Sequence, residues 1–266
     1  MRLQRSSLYR HWVFLALAAL AGCRGEPAPS AAAFGPYQPA SLDEAVLFGN
    51  RTAVENFLAL GHDPNEAEPD GTTPLMRAVH GEEREIARLL IDAGADVRRA
   101  NLYGVTALYL AARAGDEAAT RMLLLAGADA NVALPAVGET VLMTAAKTGN
   151  PEVVRALLTG GVEGLSQVEL GEARAAARIA EAAGYAVPTN PAIETNHADV
   201  NARERLYGRT ALMIAAAAGH GEVVDLLIEA GADVNLADLE GSTALSLARN
   251  SGNLDIAARL EEAGAR

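Results

Sequence analysis

The sequence predicts an all-α repeat solenoid of about six to seven units, and three observations carry that prediction. The first is a period. Thr73-Pro74-Leu75 returns as Thr106-Ala107-Leu108, Thr140-Val141-Leu142, Thr210-Ala211-Leu212 and Thr243-Ala244-Leu245, most copies standing about 33 residues apart. The second is punctuation: a glycine follows each threonine by 21 positions, at Gly94, Gly127, Gly161, Gly231 and Gly264. Three of these glycines open Gly-Ala-Asp, at Gly94, Gly127 and Gly231, and two of those runs continue to Asn131 and Asn235. The third is helical spacing of apolar residues in between, as in Val223, Val224, Leu226, Leu227 and Ile228. A fixed period of this length describes units that bury their apolar faces only against their neighbours.

Each unit reads as a helix pair. The threonine caps a short first helix, with proline or a small residue in its first turn. A break at Gly115, Gly149, Gly219 or Gly252 separates it from a longer second helix, and the glycine at the far end suits a left-handed C-cap. Alanine pairs such as Ala111-Ala112, Ala145-Ala146 and Ala215-Ala216 let helices approach closely. The polar stretch that follows, ending in Gly104, Gly138, Gly208 or Gly241, reads as a hairpin-like turn.

Taken together, these residues resemble the ankyrin repeat, whose pattern runs roughly Asp-x-x-Gly-x-Thr-Pro-Leu-His-x-Ala-Ala, then Leu-Leu-x-x-Gly-Ala-Asp-Val-Asn. The resemblance covers residues 40–266 with five clear copies. The family's histidine after leucine is replaced throughout, by Met76, Tyr109, Met143, Met213 and Ser246, which implies a more apolar seam between units. A degenerate first copy spans about 40–61, with polar Ser41, Asp43 and Glu44 suiting an N-terminal cap. A second degenerate copy is placed at about 163–184, because Ala177 to Gly184 aligns with Ala87 to Gly94. After it comes an enlarged loop over 185–197, with Pro188, Pro191 and several Thr and Asn residues. At this loop the sequence reading expects the register to shift, dividing an N-terminal from a C-terminal stack.

The first 22 residues read as a lipoprotein signal peptide. Arg2, Arg5 and Arg10 precede an apolar run from Trp12 to Ala21 that is too short to span a bilayer. The run ends in Leu20-Ala21-Gly22-Cys23, which resembles a bacterial lipobox, and Cys23 is the single cysteine of the chain. The resemblance implies cleavage before Cys23 and its acylation, an anchor firmer than one acyl chain gives. Residues 23–39 then form an Ala/Pro-rich tether of at most about 50 Å. Arg24 after the cysteine, by resemblance to enteric lipoproteins, favours an outer-membrane, periplasm-facing address.

The formal net charge is −12, and loss of Arg2, Arg5 and Arg10 with the signal makes it −15. Such a surface disfavours nucleic acid and leads to the expectation of a partner with a basic surface. No histidine lies at metal-ligand spacing with another histidine or cysteine. Neither a Gly-x-Ser-x-Gly elbow nor a lysine-bearing phosphate loop is present, so the sequence gives no cofactor and no catalytic set. The expected function is binding of another protein without catalysis. Ankyrin arrays use hairpin tips and the exposed ends of the first helices, and the matching positions here are Leu102, Tyr103, Val137, Leu206, Tyr207, Leu239 and Glu240 at the tips. Arg209, Arg113 and Lys147 join them from nearby. Two roles fit: neutralising a periplasm-acting toxin or effector, or scaffolding an envelope enzyme near the membrane.

Overall fold

The computed structural model describes residues 39–162 and 197–266; the signal segment, most of the tether and the degenerate copy at 163–184 lie outside them. The described residues hold twelve helices and no strand, arranged as six helix pairs. These are α1 (Leu42–Leu47) with α2 (Arg51–Ala59), α3 (Pro74–His80) with α4 (Arg84–Asp92), and α5 (Ala107–Ala114) with α6 (Glu117–Leu125). The remainder are α7 (Val141–Thr148) with α8 (Pro151–Leu158), α9 (Ala211–Ala218) with α10 (Gly221–Glu229), and α11 (Ala244–Asn250) with α12 (Leu254–Glu262).

The capping logic is local. Thr73, Thr106, Thr140, Thr210 and Thr243 stand in extended backbone, and each hydroxyl accepts the N–H of the residue three positions on. That satisfies one of the orphan donors at a helix start, worth about 1 kcal/mol each. The break between helices takes left-handed backbone at Gly115, Gly149 and Gly219. In the second copy Glu82 holds that place at φ 60, the one described non-glycine residue with positive φ.

First helices stack on first helices in sequence, and second helices pack on their neighbours at α2–α4, α6–α8, α8–α10 and α10–α12. The core is the shared seam: Leu75, Leu108, Leu142 and Leu212 are buried, as are the alanines behind them. Met76, Tyr109, Met143 and Met213 are buried there too, so the slot that lost histidine packs as apolar seam. Isolated bridges Ala100–Thr106, Ala133–Thr140 and Ala237–Thr243 close the hairpins between copies.

The expected register shift does not occur. Helix α7 packs directly on α9, and α8 on α10, although residues 163–196 intervene in the chain. The hydrogen bonds locate the join. In ordinary copies the alanine of Gly-Ala-Asp donates its N–H five residues back, Ala95 to Leu90, Ala128 to Leu123 and Ala232 to Leu227. The same bond here runs from Ala198 to Leu157 at 3.0 Å, so 41 positions replace five. His197-Ala198-Asp199-Val200-Asn201 therefore resumes the ladder at the place of Gly94-Ala95-Asp96.

That ladder is built from asparagines. Asn65 accepts the N–H of Asp96 at 2.7 Å and donates to Gly94 O at 3.0 Å. Asn131 does the same for Asp199 and His197, at 2.7 and 3.0 Å. Asn201 accepts from Asp233, and Asn235 accepts from Arg266. Between the second and third copies Arg98 substitutes, its Nε donating to Gly127 O at 2.7 Å. A second series runs along the inter-helix turns: Asn150 donates to Gly115 O, the His220 ring meets Lys147 O, and Asn253 donates to Ala216 O.

Candidate protein-binding face

Every hairpin turn closes with a bond from its base residue to the residue before the threonine. Three turns are tight: Glu68 N to Thr72 O, Asn101 N to Val105 O and Asp238 N to Ser242 O. Two carry one residue more: Leu134 N to Glu139 O and Glu204 N to Arg209 O. In three of the five turns the base side chain folds back as an acceptor. Asn101 Oδ1 accepts from Tyr103 and Val105, and Asp238 Oδ1 from Glu240 and Ser242. In the longer turn, glutamate supplies the extra methylene: Glu204 accepts from Leu206, Tyr207 and Arg209 at 2.6, 2.7 and 3.0 Å.

These carboxylates are held low. Burial pushes Glu204 upward, but the N–H groups of Arg209, Leu206, Tyr207 and Gly208 outweigh it and leave its pKa below the ordinary carboxylate value. Burial acts the same way on Asp238, and the N–H groups of Ser242 and Glu240 with the Arg209 guanidinium reverse it. Asp238 is fully buried at its side chain, with Arg209 Nε 3.4 Å away. Arg209 also lies 5.0 Å over the Tyr207 ring.

Neighbouring tips are bonded to one another: Leu102 N to Asp70 O, Arg205 N to Val137 O and Leu239 N to Tyr207 O, at 2.9, 2.8 and 2.7 Å. The missing member has a cause. Pro135 occupies the donor position of the second seam between tips and has no N–H. Its ring instead fills the space where Gly104 lacks a side chain; Gly104 also sits at φ 77.

The predicted site residues separate into three groups. Leu102, Tyr103 and Leu239 stand out at 77%, 71% and 70% exposure, and Leu206, Tyr207 and Glu240 are exposed as well. Val137 and Arg209 are half-buried and engaged with neighbouring tips, so they support the row more than they extend it. Arg113 and Lys147 lie apart from the tips, exposed in the last turns of α5 and α7. Sequence reasoning missed Glu204 and Asp238 as turn organisers, and Leu47 and Phe48, exposed two and one residues before Gly49 as Arg113 and Ala114 precede Gly115. The equal offset from the break glycine was a usable signal for the last pair.

Part of the acidity lies along the second helices, away from the tips. Glu85, Glu117, Glu152, Glu222 and Asp255 occupy first turns of second helices, where the helix dipole favours anions. Basic residues gather in last turns of first helices: Arg77, Arg113, Lys147 and Arg249. The whole-chain charge is thus a poor guide to what the face attracts, since Glu240 is exposed at a tip while Arg113 and Lys147 are exposed in the first helices.

Among the described residues no group of three or more His, Cys, Asp and Glu could hold a metal ion, and no helix is long and apolar enough to cross a membrane. A stack of helix pairs, presenting a bonded row of hairpin tips, defines a repeat scaffold of the protein-interaction class. Family models for ankyrin repeats match residues 42–133, 178–266 and 111–158. The chain belongs to the ankyrin-repeat family, whose members are generally non-catalytic interaction scaffolds. Two Rickettsia felis proteins named as ankyrin repeat proteins are each 56% identical over 45 residues, 17% of this chain and 71% and 68% of theirs.

Proposed function

We propose that this chain is a membrane-tethered protein of the bacterial envelope that binds another protein through its hairpin tips and first-helix ends, without catalysing a reaction. The observation that carries the reading is the row Leu102-Tyr103, Leu206-Tyr207 and Leu239. Large apolar and aromatic side chains stand exposed there on turns fixed by side-chain acceptors and by tip-to-tip bonds. Exposed aromatics on a rigid support are the kind of residue that dominates interface energetics, because little conformational freedom is lost on binding. The tether rests on sequence: Leu20-Ala21-Gly22-Cys23 followed by an Ala/Pro-rich stretch. An outer-membrane, periplasm-facing anchor acylated at Cys23 and the neutralisation of a toxin or effector are the finer parts of the proposal.

The test is affinity capture from detergent-solubilised envelope with the full chain, beside a Tyr103→Ala/Tyr207→Ala form. A protein held by the first and lost by the second supports the reading. Identical captures by both forms, with both equally folded, sink it. The captured protein's activity with and without the chain separates neutralisation from scaffolding. For the anchor, Cys23→Ala is expected to abolish incorporation of labelled palmitate; label retained on that variant removes the lipobox argument.

A further inference from the structure

We infer that the partner segment lying on this face is acidic and apolar, its carboxylates meeting Arg113 and Lys147. This rests on the protein-binding reading above. The chain carries 34 acidic and 22 basic residues, so most described basic side chains find a partner within the molecule. Arg51, Arg77, Arg84, Arg209, Arg249 and Arg259 form ion pairs. Arg98, Arg99, Arg203 and Arg205 donate to backbone carbonyls. Arg88, Arg113, Lys147 and the Arg266 side chain do neither, and all are exposed; of these, Arg113 and Lys147 occupy one slot in adjacent copies.

Their placement at helix C-termini is explained by the dipole, which favours a cation there. That explains one charge at a time. It does not explain why this pair stays unmatched while Arg77 and Arg249, on the equivalent helices, are paired with Asp43 and Glu261. The two residues occupy the same slot of adjacent copies, each two positions before its break glycine. Helices α5 and α7 pack side by side, so the slots stand roughly 8–10 Å apart. The tips of the same two copies, which lie apart from this pair, carry Tyr103, Ala136 and Val137, all uncharged. Of the carboxylates near this stretch, Glu139 accepts from the Thr144 hydroxyl at 3.1 Å and Asp116 is paired with Arg84, while Glu82 stands exposed at the break of the neighbouring copy. Leu47 and Phe48 extend the same row of slots toward the first copy and are exposed. Along the stack the row of slots reads Leu47, His80, Arg113 and Lys147, an apolar end leading to the two unmatched cations. Its complement is a protein segment with carboxylates about one repeat apart, flanked by leucine-sized or aromatic side chains. Elsewhere the protein's own acidity repels such a segment, which fixes its register on the face.

The experiment is selection of random 16-residue peptides displayed on phage against the full chain, with affinities of recovered peptides then measured on variants. Recovered peptides are expected to be net acidic and rich in Leu, Tyr or Phe. They should bind Arg113→Glu/Lys147→Glu at least about tenfold more weakly, from two lost exposed ion pairs and added repulsion. Arg113→Gln/Lys147→Gln should fall between, and salt should weaken the wild-type complex. Recovery of neutral or basic peptides overturns the inference, as does no recovery at all, or acidic peptides that bind the reversed variant equally well. If the envelope partner is lost with the tyrosine variant but kept by the charge reversal, this inference fails and the binding reading stands. Binding of single-stranded DNA or phosphatidylglycerol vesicles that disappears on charge reversal would assign the pair to phosphate and overturn it too.

Discussion

Excising Val162 to His197 should give a more stable protein with the same stack. The cut joins Gly161 to Ala198 and recreates Gly-Ala-Asp-Val-Asn from Gly161, Ala198, Asp199, Val200 and Asn201. The length follows from the hydrogen bonds. Ala198 N meets Leu157 O across 41 positions, where Ala95 N meets Leu90 O across five, an excess of 36. Gly161 already has φ 80, matching Gly94 and Gly127 at φ 92 and 94. Its carbonyl can take the place of His197 O as acceptor for Asn131. Closing a loop of 36 residues costs chain entropy that rises by about 0.6 kcal/mol per doubling, so removing it returns about 3 kcal/mol. For an array of this size that raises the thermal midpoint by about 6–12 °C. The assay is thermal unfolding followed by circular dichroism, with the parent chain alongside. A lower midpoint, or two separated transitions, would refute the argument by showing that residues 163–196 contribute to the seam or that the copies on either side do not truly stack.

Other tests follow from single contacts. Asn131→Ala removes an acceptor and a donor that bridge copies, and should cost about 1–2 kcal/mol in chemical denaturation; no change would mean that water replaces both bonds freely. Glu82→Gly relieves a side chain at φ 60 and should stabilise by about 1 kcal/mol; a loss instead would mean that glycine's greater freedom in the unfolded chain dominates. Acidification should weaken the fold through Glu204 and Asp238. Both folded pKa values are depressed, so their contribution is present above the unfolded value of about 4 and is lost as pH falls through the folded values. Glu204→Gln with Asp238→Asn should flatten that acid limb, read as denaturation midpoint against pH; an unchanged slope would assign it to other carboxylates.

The helix pairs were legible because each is encoded locally, by a threonine cap, apolar spacing and glycine closure. The tips were legible for a similar reason: residues just before a turn glycine cannot be buried by their own unit, and Leu102, Tyr103 and Leu239 are indeed exposed. The direct stacking across residues 162–197 was not legible, because the likeness of Ala177–Gly184 to Ala87–Gly94 gives no measure of how the copies on either side meet. The better signal was Ala198-Asp199-Val200-Asn201, which matches the other copies after its glycine is supplied from Gly161. The turn organisers were not legible, since nothing in Glu204 or Asp238 alone distinguishes a carboxylate folded back on amides from one in water. Charge misled for the opposite reason: a total says nothing about which face carries it, and the helix dipoles sort acids and bases to opposite ends of each turn.

The join has a mechanical meaning as well. The fourth and fifth described helix pairs are held together by the seam between α7 and α9 and between α8 and α10, and by the rungs from Asn131. A tension carried along the array at that point loads side chains and hydrogen bonds directly. A peptide bond cut between Val162 and His197 would therefore leave two halves that still clasp one another, with the row of tips unbroken across the division.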